Sequence, residues 1–171
     1  MSRHVNHDRL HTIITEICSH AGSKGREPQQ VADNLVMANL MGHDSHGVGM
    51  LPRYIECVHS GTLNPNAEAE IVVDSAALVV MDGNSGYGQV VGEQVMDIGI
   101  TRAREYGVAI IATRNSFHLC HRCLGRAMRA SRVRFNAPYQ CDGKAPVGGT
   151  LWRHRSALRH QPVHGRPARH G

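Results

Sequence analysis

The chain has 171 residues, 41% of them hydrophobic and 4% aromatic, with a formal net charge of +5. That length and composition suit one ordinary domain with a buried core and exclude a wholly disordered chain. Scarce aromatics argue against a nucleic-acid module built on stacking platforms, and no apolar run reaches the roughly 18 residues of a membrane helix.

The start, Met1-Ser-Arg-His-Val-Asn-His-Asp8, lacks the apolar stretch of a secretory signal. The expectation is a cytoplasmic protein whose five cysteines are thiols. The charge is unevenly divided. Residues 1–118 hold 8 Lys+Arg and 13 Asp+Glu, a balance of −5, whereas residues 119–171 hold 11 Lys+Arg and the single acid Asp142, a balance of +10. A basic tail on an acidic domain ordinarily marks a nucleic-acid arm.

Leu10, Ile13, Ile14 and Ile17 fall on one apolar face and predict a first helix, ended by Gly22 and Gly25. A second helix is predicted from Glu27-Pro28, with proline in the first turn, Val31, Leu35, Ala38 and Met41 on one side, and Gly42 at its close. A third covers Leu51 to Val58, with Leu51, Tyr54, Ile55 and Val58 on one face and Gly61 as its cap. The period then changes. Ile71-Val-Val73 and Ala77-Leu-Val-Val-Met81 read as strands joined by a turn at Asp74-Ser75. Asp82 to Gly88 is a loop, residues 89–106 are helical through Val91, Val95, Ile98 and Ala103, and Gly107 suits a C-terminal cap. Val108-Ala-Ile-Ile-Ala112 reads as a short buried strand feeding Arg114-Asn-Ser-Phe-His118. The fold class is therefore α/β in the mixed α+β sense, with a loop emerging at a strand end, where catalytic groups are common.

The densest polar cluster is Gly42-His-Asp-Ser-His-Gly-Val48, between two helices. His43 and His46 lack a third ligand and the usual helical spacing of a metal site. A Ser-His-Asp triad needs geometry that adjacent residues do not supply to one another. The bland alternative makes Asp44 and Ser45 caps of the following helix and the histidines loop residues. His118, after a strand, suits either a proton-transferring group near neutral pH or a surface histidine. Gly83, Gly86 and Gly88 do not follow the G-x-G-x-x-G order of a dinucleotide loop. Cys120 and Cys123 resemble half a zinc site, with Cys141 a single further candidate.

Taken together, six segments resemble the malate/L-lactate dehydrogenase family whose cofactor domain is not a Rossmann fold. They are Met41-Gly-His-Asp-Ser-His-Gly-Val48, Leu51-Pro-Arg-Tyr54, Ser60-Gly-Thr-Leu-Asn-Pro65, Asp82-Gly-Asn-Ser-Gly-Tyr-Gly-Gln89, Ala103-Arg-Glu-Tyr-Gly-Val108 and Arg114-Asn-Ser-Phe-His118. They stand in family order and cover nearly all of residues 5–118; the Gly-His-Asp-Ser-His-Gly block is the specific one. The resemblance implies NAD- or NADP-dependent interconversion of 2-oxo and 2-hydroxy acids, a small 2-oxo or 2-hydroxy acid as substrate, and a homodimer. No nucleic acid, membrane or metal is implied.

By resemblance, His118 is the first candidate for the proton-transferring group and His46 the second, Ser45 holds His46 or the substrate oxygen, and Tyr54 contacts substrate. Met50 stands where many members carry an arginine able to grip a carboxylate, so either Arg53 compensates, the substrate differs, or affinity is poor. The family's main cofactor loops lie beyond residue 118, so no cofactor-binding residue is assigned.

After His118 the resemblance continues in a shifted reading frame. Read one base later, residues 120–124 permit Ala-Ile-Gly-Ala-Trp, residues 125–135 permit Ala-Glu-Gln-Cys-Ala-Arg-Ala-Gly-Phe-Val, and Arg153 to Val163 permit Thr-Asp-Arg-Arg-Phe-Gly-Thr-Asn-Pro-Phe. An insertion or deletion near codon 119 explains these strings and the sudden arginine excess, and makes the basic tail an accident of frame. Three stretches follow: residues 1–66 as a helical substrate and dimer segment, 67–118 as the start of the non-Rossmann cofactor domain, and 119–171 as an out-of-frame tail. That tail is expected to be poorly ordered, with at most a helix near 121–133. The alternative to an oxidoreductase is a non-enzymatic, truncated fragment that binds no cofactor.

Overall fold

The computed structural model describes residues 5–118; the tail, its expected helix and Cys120, Cys123 and Cys141 lie outside the described residues. Helix α1 (His7–His20) opens on Asn6, whose side-chain oxygen accepts from the amides of Asp8 and Arg9 at 2.8 and 3.2 Å. That cap satisfies two of the donors every helix start leaves orphaned. Helix α2 (Glu27–Leu40) has no side-chain cap. Its first residue, Glu27, is buried instead, and both carboxylate oxygens accept from the Asn66 amide at 2.9 Å. Helix α3 (Leu51–His59) carries proline in its first turn, as predicted, and ends at Ser60 before Gly61.

One core joins the three helices to the loop that follows the sheet. Ile14 and Cys18 of α1 pack with Val31 and Leu35 of α2, Leu51, Tyr54 and Cys57 of α3, and Tyr87 and Val90. The predicted stripe on α1 is rotated. Ile13 and Ile17 are 39% and 38% exposed, while Ile14 and Cys18 are fully buried. A 3.6-residue period puts 14 and 18 on one line and 13 and 17 on its flank, and the shared core with α2, α3 and Tyr87 takes the first pair. On α3, Cys57 is buried where Ile55 and Val58 were expected to be, and those two are half-buried. Met41, predicted on the α2 face, is exposed past the helix end.

The sheet has three strands in the order β1 (Glu70–Ser75), β2 (Leu78–Asp82) and β3 (Ile110–Arg114). The first pair is antiparallel, with an irregularity between Ile71 and Val73, and the second is parallel. Helix α4 (Gly88–Tyr106) supplies the crossover that a parallel pair requires. The predicted turn at Asp74-Ser75 is displaced: those residues pair with Val79 and Leu78, and the chain reverses at Ala76-Ala77, with Ala76 at φ 52°. Arg102 of α4 forms an ion pair with Asp74, which holds that residue within the strand.

The third strand begins two residues later than predicted. Gly107 ends α4 at φ 81°, a conformation that glycine takes without cost, and Val108-Ala109 leave the helix before pairing starts. The expectation that this strand is buried fails as well. Ile111 lies against the Gly99 position of α4, so alternation turns Ile110 to the other face, where it is 61% exposed. Strand β1 is exposed along its whole length. Among the described residues no helix is long and apolar enough to cross a membrane.

Candidate active site

The loop between α2 and α3 is two short 3-10 turns, Asp44–His46 and Val48–Met50. Asn39, near the end of α2, pins both. Its amide donates to Asp44 Oδ1 at 2.6 Å and its oxygen accepts from the Val48 amide at 2.7 Å. Asp44 is thereby committed to Asn39, and α3 has no side-chain cap. The reading of Asp44 and Ser45 as caps is therefore wrong. Ser45 Oγ instead meets His46 Nδ1 at 2.9 Å. The Asp44 carboxylate faces Asn39, so the three neighbouring side chains do not form a Ser-His-Asp triad among themselves.

His118 arrives from the other side of the molecule. Beyond β3 the chain is laced to the loop after β2: Gly83 N donates to Arg114 O, Ser85 N to Asn115 O, and Phe117 N to Gly86 O, at 2.9, 2.7 and 3.1 Å. Asp82 clamps the base of this pair of segments. Its carboxylate accepts from the Asn84 amide, Arg114 Nε and Asn115 Nδ2 at 3.0, 2.8 and 2.9 Å. Those bonds, the Asn84 amide foremost, hold its pKa below the usual carboxylate value. Asn84, Ser85 and Asn115 all take positive φ (49°, 58° and 50°), a conformation that costs non-glycine residues energy and is tolerated where surrounding bonds impose it.

The lacing carries Phe117 and His118 over the start of α4. A Cβ at Gly88 would collide with the His118 carbonyl and crowd that of Phe117, so glycine there permits the close approach. Phe117 then packs edge-on to Tyr54, with ring centroids 5.4 Å apart at 81°, and Tyr87 packs on Tyr54 at 5.9 Å and 70°. Tyr87 is fully buried, and burial drives its pKa upward.

The functional side chains converge here. Tyr54, also fully buried, has its Oη 2.8 Å from His118 Nδ1 and accepts from Gln89 Nε2 at 2.9 Å. The His118 ring lies 5.0 Å from that of His46, which in turn lies 4.1 Å from His43. Five residues singled out in the sequence, His43, Ser45, His46, Tyr54 and His118, thus form one contiguous cluster. Arg53 sits beside Tyr54 on α3 and pairs with Glu56 at 3.4 Å. Met50 packs against the helical core. Among the described residues no group of three His, Cys, Asp or Glu side chains is arranged to hold a metal ion.

Sequence reasoning missed Asn39, Gln89 and Phe117. Gln89 had a signal, a polar residue at a position that the α4 pattern places next to buried Val90 and Val91. Asn39 acts on the turns five and nine residues ahead of it, and Phe117 acts through a contact distant along the chain.

The family model described as malate/L-lactate dehydrogenase matches residues 5–130. The chain belongs to that family. Hydroxycarboxylate dehydrogenase B of Escherichia coli (strain K12) is 41% identical over 110 residues, which is 64% of this chain and 30% of that protein. The L-sulfolactate dehydrogenase of Methanocaldococcus jannaschii is 39% identical over 106 residues, 62% of this chain and 31% of the relative. Among solved structures, the malate dehydrogenase of Pyrococcus horikoshii superposes with a TM-score of 0.65 at 37% identity, covering 68% of this chain and 33% of that one. This malate/L-lactate dehydrogenase family chain therefore spans about a third of the length of the relatives it matches.

Proposed function

We propose that this chain takes part in the interconversion of a 2-oxo acid and its 2-hydroxy acid, with His118 as the proton-transferring group. The carrying observation is the convergence of His118, Tyr54 and His46 at the meeting point of two separate chain segments. In the reducing direction the His118 imidazolium polarises the keto oxygen and delivers its proton as the alkoxide forms, leaving a neutral ring. His46, held at Nδ1 by Ser45, presents a second imidazole beside the same space. Tyr54 orients His118, and Arg53 is the nearest cation for the substrate carboxylate on α3.

The family implies a nicotinamide cofactor, NAD or NADP. The described residues do not fit a dinucleotide. The start of α4, where a helix would bind a phosphate group, is crowded at Gly88 by the carbonyls of Phe117 and His118, and the loop before it carries the anionic Asp82. These residues are thus assigned the handling of proton and substrate, with no step drawn through the cofactor.

The test is absorbance-monitored reduction of oxaloacetate, pyruvate and sulfopyruvate with NADH and with NADPH. Turnover abolished in His118→Gln and reduced in His46→Gln supports the reading. Turnover retained in His118→Gln contradicts it, and failure of the chain to bind either nicotinamide favours the non-enzymatic alternative. Resequencing codons 110–171 tests the out-of-frame reading of the tail: DNA that continues in the family's frame makes the real protein a full-length dehydrogenase, whereas a frame that stands as written leaves the frameshift as a statement about ancestry alone.

A further inference from the structure

We propose that Asn39 is a positioning residue of the site: by tying down Asp44 and Val48 it fixes how Ser45 and His46 are presented, and position 47 is glycine because the Asn39 amide occupies the space of a side chain there. The inference rests on the reading of His46 as part of the site, and goes beyond it by giving a role to a residue outside the histidine cluster.

Asn39 is half-buried in the last turn of α2. The chain leaves that helix through two backbone bonds, from the Gly42 amide to Asn39 O at 2.9 Å and from the His43 amide to Ala38 O at 2.8 Å. The two 3-10 turns beyond are closed by local bonds: His46 N to His43 O, Gly47 N to Asp44 O and Met50 N to Gly47 O, at 3.0, 3.1 and 2.9 Å. Bonds of that kind shape each turn but do not aim it relative to α2. The Asn39 side chain supplies the aim, because Asp44 opens the first turn and Val48 opens the second. The two tied points bracket Ser45 and His46, whose Oγ and Nδ1 stand 2.9 Å apart, and the His46 ring faces that of His118 at 5.0 Å. The orientation of the Asn39 amide is fixed by its partners. A carboxylate only accepts and a backbone amide only donates, so the nitrogen faces Asp44 and the oxygen faces Val48.

Gly47 is the independent observation. Its backbone is extended, with φ −93°, so no left-handed conformation calls for glycine there. Space does. A Cβ at position 47 would overlap Oδ1, Cγ and Nδ2 of Asn39. A larger residue must push the amide aside, and the amide can yield only by giving up its bonds to Asp44 and Val48. The closing glycine of the Gly-His-Asp-Ser-His-Gly block and the asparagine three residues before that block thus form one device.

The experiment follows the His46 imidazole resonance by NMR in the full chain at pH 7, the resonance being assigned by its loss in His46→Gln, first without ligand and then with pyruvate. Asn39→Asp keeps an acceptor for the Val48 amide but sets two carboxylates against each other. It is expected to shift the ligand-free His46 resonance and to weaken pyruvate binding about tenfold, the equivalent of one hydrogen bond lost from the bound state. The double variant Asn39→Asp/Asp44→Asn exchanges donor and acceptor, restores the tie at unchanged net charge, and should return both readings to wild type. Gly47→Ala should shift the His46 resonance as well, whereas adding it to Asn39→Ala should produce no further shift. A merely structural role predicts a lower urea midpoint in Asn39→Asp with an unmoved His46 resonance, and that result overturns the proposal. So does a shift that persists in the folded double variant, or one from Gly47→Ala that is as large without the Asn39 side chain. If Asn39→Asp does not fold, the double variant and Gly47→Ala decide by the same criteria. Pyruvate that leaves the wild-type resonances unmoved counts against the proposed function, while the ligand-free His46 resonance still decides the role of Asn39.

Discussion

Gly88→Ala is the substitution that most sharply probes how the cluster is assembled. The added methyl meets the carbonyl carbon and oxygen of His118 and the carbonyl oxygen of Phe117, all backbone atoms. Alanine gains up to about 1 kcal/mol over glycine in a helix interior, and less at the first helical position. Overpacking costs about 1–3 kcal/mol, and a backbone obstacle places the cost toward the upper end because no side-chain rotation relieves it. The expected net effect is a loss of about 1–2 kcal/mol in urea unfolding monitored by circular dichroism. Residues 117–118 must also move away from α4, which lengthens the contact between His118 Nδ1 and Tyr54 Oη and shifts the His118 imidazole resonance. Gly99→Ala is the internal control. Its Cβ would lie 3.3 Å from Ile111 Cγ1, a side-chain atom that can give way, so stability should stay within about 0.5 kcal/mol of wild type or rise. A Gly88→Ala protein with the wild-type unfolding midpoint and an unmoved His118 resonance would refute the argument.

Three other outcomes follow from the packing and the titration directions. Ile14→Ala should cost about 2–5 kcal/mol and Ile17→Ala under about 1 kcal/mol, because the first is fully buried and the second 38% exposed; equal losses in urea unfolding would contradict the face assigned to α1. Asp82 has a folded pKa below its unfolded one, so its contribution is present above about pH 4 and is lost as pH falls through the folded value. Asp82→Asn should flatten that acid limb of the stability profile, and an unaltered limb would exclude the clamp. Burial pushes the Cys18 thiol up to about 11, with Glu27 adding to the shift. Its contribution is therefore lost as pH rises above the unfolded value, about 8.5. Site-resolved mass spectrometry after alkylation at neutral pH should find Cys18 and Cys57 unmodified until the chain unfolds.

The helices were legible because each buries one stripe at a 3.6-residue spacing and ends at a glycine or opens on a proline. Their order along the chain was legible too. Which neighbouring line of α1 turns inward was not, since Ile13-Ile14 and Ile17-Cys18 offer two adjacent apolar lines and only the tertiary core chooses between them. The hairpin turn was misread for a similar reason. Asp74-Ser75 has good turn chemistry, but its pairing with Leu78 and Val79 and the Arg102 ion pair outweigh local preference, and Ala76 accepts a positive φ instead.

At the candidate site, the residue types marked out His46 and His118, but not the contacts that set their state. Ser45 reaches His46 only because Asn39 withdraws Asp44 and folds the loop into two tight turns. Gln89 meets Tyr54 across 35 positions of sequence, a separation that no local pattern encodes. The motif containing Gln89 was recognised as a block, while the contact made by its last residue required the fold.

The most direct measurement is titration of the wild-type chain with a 2-oxo acid while the His46 and His118 imidazole resonances are observed. The account predicts that both shift together and saturably, and that the His118 midpoint rises as the bound carboxylate favours the imidazolium. Resonances that stay unmoved at saturating 2-oxo acid, or that respond equally to an acid lacking the 2-oxo group, would contradict the assignment of this cluster as the site of proton transfer.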